Sequence, residues 1–366
     1  MATVKREYGI DVFKIVATFM IVVLHIITQG GVLTAAPALT TRGEVLQLVN
    51  IICFCGVNCF AIASGYLGLN AKHKFSSIIM LWAQIVFWGV VINLVFIIYS
   101  LCIGQTPNWL SLIKSVFPIL SQQNWYFSCY FCLFFFAPII NKIINTITRT
   151  EAKNVIIISA GLFFLVETLI HDSSFAMNAG YSWVWLALMY FIGAYIKKYY
   201  NAVQVSIKKN LLIFLLCTGG TLLTHIGIAV LTNALTGTVS SATKFITYTS
   251  PLMVGMALAL LNVFRSMKIT ESKGKVFTFI SQLTFGVYII HTNNAIFQRM
   301  YGILDFVNEY KLILTMSFVL IVSVIIFITC AIADYLRQLL FKLLHIKNLA
   351  TRMDSALTKL ISKINF

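Results

Sequence analysis

Long apolar runs alternate with short polar connections from one end of the chain to the other. A membrane-spanning helix needs roughly 20 mostly apolar residues. Ten runs of that kind fit, over residues 10–29, 45–68, 77–103, 124–147, 154–170, 182–200, 210–234, 245–266, 276–299 and 311–340. The pattern predicts an all-α, polytopic transmembrane helix bundle of about ten spans. The longest connections, near 30–44 and 104–123, are too short for a folded module of their own. Residues 1–340 therefore read as one membrane domain. Beyond it, Leu343, Ile346, Leu349, Met353, Leu357, Leu360 and Ile364 recur at helical spacing, with Lys347, Arg352, Lys359 and Lys363 between them. Residues 341–366 thus predict an amphipathic, basic cytoplasmic tail that lies on the membrane surface, where anionic lipid attracts its charged face.

Composition agrees with this class. Hydrophobic residues make up 59% of the 366 and charged residues 10%, too little polar surface to solvate a globule of this size. The net charge of +16 invites a nucleic-acid partner, but the placement of the basic residues points to lipid instead. With the N-terminus inside, one side collects 21 of them, from Lys5 and Arg6 through Lys72, Lys74, Lys142 and Arg149 to Lys363. The other side holds 5: Arg42, Lys114, Lys244, Arg299 and Lys311. That is the positive-inside asymmetry, and it predicts both termini in the cytoplasm, with an even number of spans. Asp11 and Lys14 interrupt the first apolar run and no small-residue cleavage site follows, so the first helix reads as retained rather than as a signal peptide. All eight cysteines fall in or beside predicted spans, as small hydrophobes in helix packing do. Cys129 and Cys132 make a weak redox or metal signal, and no metal site is expected.

An ionisable group deep in a span costs at least ~2.5–3.5 kcal/mol on insertion scales, so each one is a site candidate. The first helix carries Asp11, Lys14 and His25; later helices carry Glu167, His225, His291 and Asp334. At helical pitch Asp11, Lys14 and His25 share one face, and His25 stands about 16 Å beyond Lys14, a reach comparable to an extended pantetheine arm. Lys14 snorkelling to the headgroups with Asp11 as its partner is the alternative for those two residues, and it leaves His25 unexplained. His25, Glu167, His225 and His291 all lie about 14–16 residues in from the cytoplasmic end of their helices, so adjoining helices would make them one polar layer. His225 is the weakest member of that set.

Four segments, from the first helix to the ninth, resemble the acyltransferase-3 family of integral membrane acyltransferases. Asp11, then Lys14, then His25 resembles its Asp, basic residue and His on the first helix. Gly56-Val57-Asn58-Cys59-Phe60 running to Ser64-Gly65-Tyr66-Leu67 is similar to its apolar run closing in Ser-Gly-Tyr. Asn124-Trp125-Tyr126-Phe127 with Tyr130 is similar to its Trp-Tyr segment, and Tyr288-Ile289-Ile290-His291 to its late Tyr-x-x-His. The resemblance implies a membrane acyltransferase domain over residues 1–340. It implies an acyl-CoA donor, most simply acetyl-CoA, used in the cytoplasm as a substrate with no tightly bound cofactor. It implies a glycan or lipid-linked glycan acceptor at the outer face, hence polysaccharide O-acetylation in a cell membrane, most simply a bacterial plasma membrane. Lys72 and Lys74 stand where relatives carry an arginine pair for the donor's phosphates, and lysine meets phosphate only as a point charge.

Acyl transfer from a thioester to an alcohol needs a base for the hydroxyl proton and a group to steady the oxyanion. The resemblance makes His25 the catalytic residue, and imidazole is the side chain whose neutral form is available at neutral pH. Whether it deprotonates the hydroxyl or first accepts the acyl group stays open. Asp11 is too far along the helix to bond His25 and is expected to hold Lys14. Glu167 is the carboxylate at the depth of His25 and is expected either to orient it or to bond His171. Lys14, Lys72 and Lys74 are expected at the CoA phosphates, and Tyr288 and His291 beside the reacting centre. Trp125, Tyr126 and Tyr130 are either an aromatic belt or an acceptor platform on which sugar faces stack. A transporter or flippase of a glycan precursor or anionic solute is the competing class. It lacks the matched helix breaks of a transporter, since Gly219-Gly220 and Ser250-Pro251 do not correspond between halves.

Overall fold

The computed structural model describes residues 6–121, 123–170, 175–200 and 205–363; Lys5, His171 and Ile364, named above, lie outside the described residues. All regular structure among the described residues is helical. In hydrocarbon every backbone N–H and C=O must be satisfied within its own segment, and a helix does this.

The helices in chain order begin with α1 (Tyr8–Gln29), α2 (Thr41–Phe54), α3 (Gly56–Gly68), α4 (Phe75–Cys102), α5 (Trp109–Val116) and α6 (Trp125–Thr146). Then α7 (Arg149–Ser159) continues through a π-helical stretch, Ala160–Val166, into α8 (Glu167–Ile170). The remainder are α9 (Trp183–Tyr199), α10 (Ile207–Thr236), α11 (Pro251–Arg265), α12 (Glu271–His291), the single turn α13 (Asn294–Phe297), α14 (Leu312–Leu343) and α15 (Ile346–Lys363).

Each of the ten predicted runs is helical over most of its length, and seven are long and apolar enough to cross a membrane: α1, α2 with α3, α4, α6, α7 with α8, α10 and α14. The other three fall short by length or composition. α9 has 17 residues, α11 has 15 because Pro251 starts it, and α12 carries Thr278, Ser281, Gln282, Thr284 and His291 along its length.

α1 and the α2–α3 stretch are the most buried of the long helices. α1 packs against α2, α3, α11, α12 and α14, so its polar face looks into the bundle and not at lipid. α3 crosses α9 at very close range. A Cβ on Gly65 would lie 1.9 Å from the Tyr190 carbonyl oxygen, and one on Gly193 would lie 2.1 Å from that of Ile62. Small residues let two backbones approach in this way where no water drives helices together.

Contacts sort the connections into two ends. At one end Glu7 accepts hydrogen bonds from Tyr66 and Lys197, Lys198 reaches the Ile144 carbonyl, and Arg265 reaches that of Tyr200. At the other, Gly302 and Leu304 bond the end of α1, and Arg42 reaches Tyr310 and Thr315. The first end carries most of the basic residues. α15 forms as a helix there and packs on α4, with Asp354 accepting the Phe75 N–H at 3.2 Å, while Leu349, Met353, Leu357 and Leu360 are exposed.

Candidate active site

His25 meets His291 near the ends of α1 and α12, because those two helices lie side by side. His25 Nδ1 and His291 Nε2 are 3.0 Å apart, and His291 Nδ1 is 2.6 Å from the Val287 carbonyl oxygen. A carbonyl only accepts, so His291 Nδ1 carries the proton. With both rings neutral, His291 Nε2 is then an acceptor, and His25 Nδ1 donates to it. The lone pair of His25 is left on Nε2. His291 is buried, at 1% exposure, whereas His25 is partly open. The exposed edge of the pair is thus that of His25, with His291 behind it.

His25 opens on a narrow cavity of about 50 Å³ walled by Ile21, Val57, Phe60, Trp125, Tyr126, Tyr248, Phe285 and Tyr288. The Phe297 ring stands edge-on to His25 with centroids 5.1 Å apart. The rings of Tyr126 and Tyr288 are 6.0 Å apart, and Trp125 lies against Tyr181 at 4.6 Å. Tyr126, Tyr248 and Tyr288 are the hydroxyl-bearing walls of this cavity, and the Tyr288 ring lies 6.4 Å from that of His291.

Toward the basic end this cavity adjoins a larger one of about 450 Å³ through Phe60, Tyr126 and Phe285, and Lys14 lines that second cavity. The second adjoins a third through Ser64, Gly68, Ala71 and Tyr130, and Lys72 and Lys74 line the third. Lys14, Lys72 and Lys74 are thus strung along one series of cavities that ends at His25. His73, between the two lysines, stacks on Phe134 with centroids 4.1 Å apart and fixes the loop. The Ser64-Gly65-Tyr66 segment takes a structural meaning here. Ser64 faces the cavities, Gly65 allows the α9 crossing, and the Tyr66 hydroxyl ties α3 to Glu7 at 2.6 Å.

Other expected groupings come apart. Asp11 does not hold Lys14: the Arg6 guanidinium takes both carboxylate oxygens at 2.8 Å, Thr278 adds a third hydrogen bond, and Lys14 is left facing its cavity. The planar fork of Arg6 matches a carboxylate in a way an ammonium one turn away does not. Glu167 does not orient His25, since its Oε1 accepts the Ala179 N–H at 3.2 Å and His291 fills the orienting position. His225 bonds the Ala242 carbonyl at 3.0 Å and sits 3.6 Å from Glu44, so the four-member polar layer reduces to the His25–His291 pair. Common depth did not imply common azimuth. Tyr130, one turn further along α6 than Tyr126, lines the lysine-bearing cavities and stands apart from Trp125.

One feature escapes the residue pattern. A polar cavity of about 410 Å³ opens at the end opposite the lysines, with Asn93, Asn108, Lys114, Gln123, Asn293, Asn294, Gln298 and Arg299 on its walls. The amide pair Asn293-Asn294, two residues past His291, was its signal in the sequence. Among the described residues no group of three or more His, Cys, Asp or Glu side chains could hold a metal ion.

Comparison with curated proteins found no match, and comparison with solved structures found none. The sequence model of one family, described as an acyltransferase domain, matches residues 7–335, which include α1 with its histidine, the lysine loop and α12. The long apolar helices, the paired histidines and this match agree, and the chain belongs to the acyltransferase 3 family of membrane acyltransferases.

Proposed function

We propose that this protein moves an acetyl group from acetyl-CoA, arriving at the basic end, to a hydroxyl of a cell-surface or lipid-linked polysaccharide that approaches from the opposite end. The observation that carries this reading is the series of adjoining cavities running from Lys72 and Lys74 past Lys14 to His25, with the polar cavity beyond it. By the positive-inside rule the basic end is cytoplasmic, all ten helical segments span, and both termini lie inside. A bacterial plasma membrane suits a donor on one side and a surface glycan on the other.

The size of the inner cavity favours a small acyl group. The cavity beside His25 is the narrowest of the series that leads to it, about 50 Å³ against about 450 Å³ for the Lys14 cavity. The aromatic walls exclude water that would otherwise hydrolyse the thioester. In the reaction His25 Nε2 takes the proton of the acceptor hydroxyl as its oxygen bonds the thioester carbon. The tetrahedral oxyanion faces Tyr126 and Tyr288. Its collapse breaks the carbon–sulfur bond, and the departing thiolate receives the proton from the His25 imidazolium. His291 keeps Nδ1 of His25 bonded throughout.

The test is acylated glycan per unit of membrane-inserted protein in cells expressing wild type, His25→Ala or His225→Ala. Loss of a positioned general base lowers the rate by ~10²–10⁴, so the His25 variant should give no detectable acylation while His225→Ala gives a much smaller loss. Near-normal acylation in His25→Ala would remove the histidine from the mechanism.

A further inference from the structure

The elbow between α14 and α15 borders an open cavity of about 630 Å³ outside the series that runs from Lys72 and Lys74 to His25. Arg337, Lys342, His345 and Lys347 line it, and it adjoins the Lys14 cavity through Leu81, Gln84 and Gln282. It is of the size of a small-molecule site and larger than the Lys72–Lys74 cavity of about 160 Å³.

Arg337 is a built element of this wall. It is 6% exposed, and its Nε and Nη2 bond the two oxygens of Asp334 at 2.8 and 3.0 Å. Asp334 is itself wholly buried and also accepts from Gln84, Trp88 and Gln338. The carboxylate is therefore saturated, and among the described residues Arg337 Nη1 has no hydrogen-bond partner. α12 makes room for this cluster with a glycine, since a Cβ on Gly286 would lie 2.0 Å from the Asp334 Cγ. A buried ion pair with every carboxylate lone pair engaged is costly to assemble in a membrane, and here it holds one guanidinium at a cavity edge.

We infer that this elbow binds the phosphates of the CoA donor, with Arg337, Lys342 and Lys347 as the phosphate ligands. The inference rests on acyl-CoA being the donor. A pyrophosphate and a sugar phosphate carry several negative charges at neutral pH, more than Lys72 and Lys74 balance. Arg337 offers a rigid planar donor where those two lysines offer only point charges. From the elbow the cavities lead past Lys14 to His25, the direction in which a pantetheine arm must extend. Arg337, Lys342 and Lys347 lie just beyond residue 335, where the family match ends. α15 then forms a wall of the donor site in addition to meeting the membrane surface.

The same cationic cavity also suits the phosphate of an anionic lipid headgroup, and the experiment separates the two. CoA binding is measured on full-length protein in zwitterionic nanodiscs for wild type, Lys342→Ala/Lys347→Ala, and Lys359→Ala/Lys363→Ala. Lys342 and Lys347 are exposed, so their truncation leaves folding intact. The expected result is CoA affinity weakened about tenfold in the first double variant, with a shallower salt dependence, and little changed in the second. The KM for acetyl-CoA should rise while kcat at saturating donor stays the same. Wild type that binds CoA alongside an elbow variant that binds it equally well would overturn the site while leaving the donor reading in place. Equal weakening in both double variants would overturn it as general surface charge. Loss, in the elbow variant, of phosphatidylglycerol retained by the protein purified from mixed-lipid nanodiscs, with CoA affinity intact, would reassign the cavity to lipid. Wild type that binds no CoA at all would remove the donor reading and this inference together.

Discussion

Replacing His291 by leucine keeps the volume of the side chain and removes the acceptor for His25 Nδ1–H. In the proposed mechanism the 3.0 Å bond between the rings has two roles. In the resting enzyme it selects the His25 tautomer whose lone pair is on Nε2; a net worth of about 0.5–1.5 kcal/mol per hydrogen bond makes that preference roughly 2- to 12-fold. When His25 has taken the proton, the bond becomes charge-assisted, worth about 1.5–3 kcal/mol, and it favours the transition state by roughly 10- to 150-fold. His291→Leu should therefore lower kcat by about 10², leave the KM for acetyl-CoA unchanged, and cost about 1–3 kcal/mol of stability for the unpaired Nδ1–H. His291→Gln is the informative partner. Its Oε1 reaches the place of Nε2 and accepts the same proton, so it should recover most of the lost kcat. The assay is initial-rate transfer from labelled acetyl-CoA to purified cell-surface glycan by protein in nanodiscs, with thermal unfolding measured in parallel. An unchanged kcat in His291→Leu would refute the orienting role. Equal loss in the leucine and glutamine variants would show that His291 itself exchanges a proton in the reaction.

Phe285 separates the His25 cavity from the Lys14 cavity, so Phe285→Ala should widen the inner one and raise turnover with propionyl- and butyryl-CoA relative to acetyl-CoA; an unchanged preference would show that chain length is set elsewhere. Cysteine labelling from either side of intact cells should place residues near 72, 150, 205, 270 and 350 inside and those near 38, 112, 176, 240 and 305 outside, and one well-behaved outside signal at 205 would break the ten-span arrangement.

The helical segments and the face of α1 that carries Lys14 and His25 followed from the sequence, because a lipid environment leaves only helices and penalises each buried charge. The same penalty made His291 legible as a candidate. What periodicity along one helix does not encode is its rotation against a neighbour. His25, Glu167, His225 and His291 share a depth, yet only α1 and α12 turn their histidines toward each other, while His225 turns to Ala242 and Glu44, and Glu167 to Ala179. Asp11 was nearest to Lys14 in the sequence, but the choice of Arg6 depended on where the chain before α1 folds back. The polar cavity and the α14–α15 elbow draw their walls from segments far apart in the chain, such as Asn93 with Asn293 and Gln84 with Arg337. A sequence states which polar groups must be buried. The packing of the helices decides which of them become partners and which are left facing a cavity where a substrate can reach them.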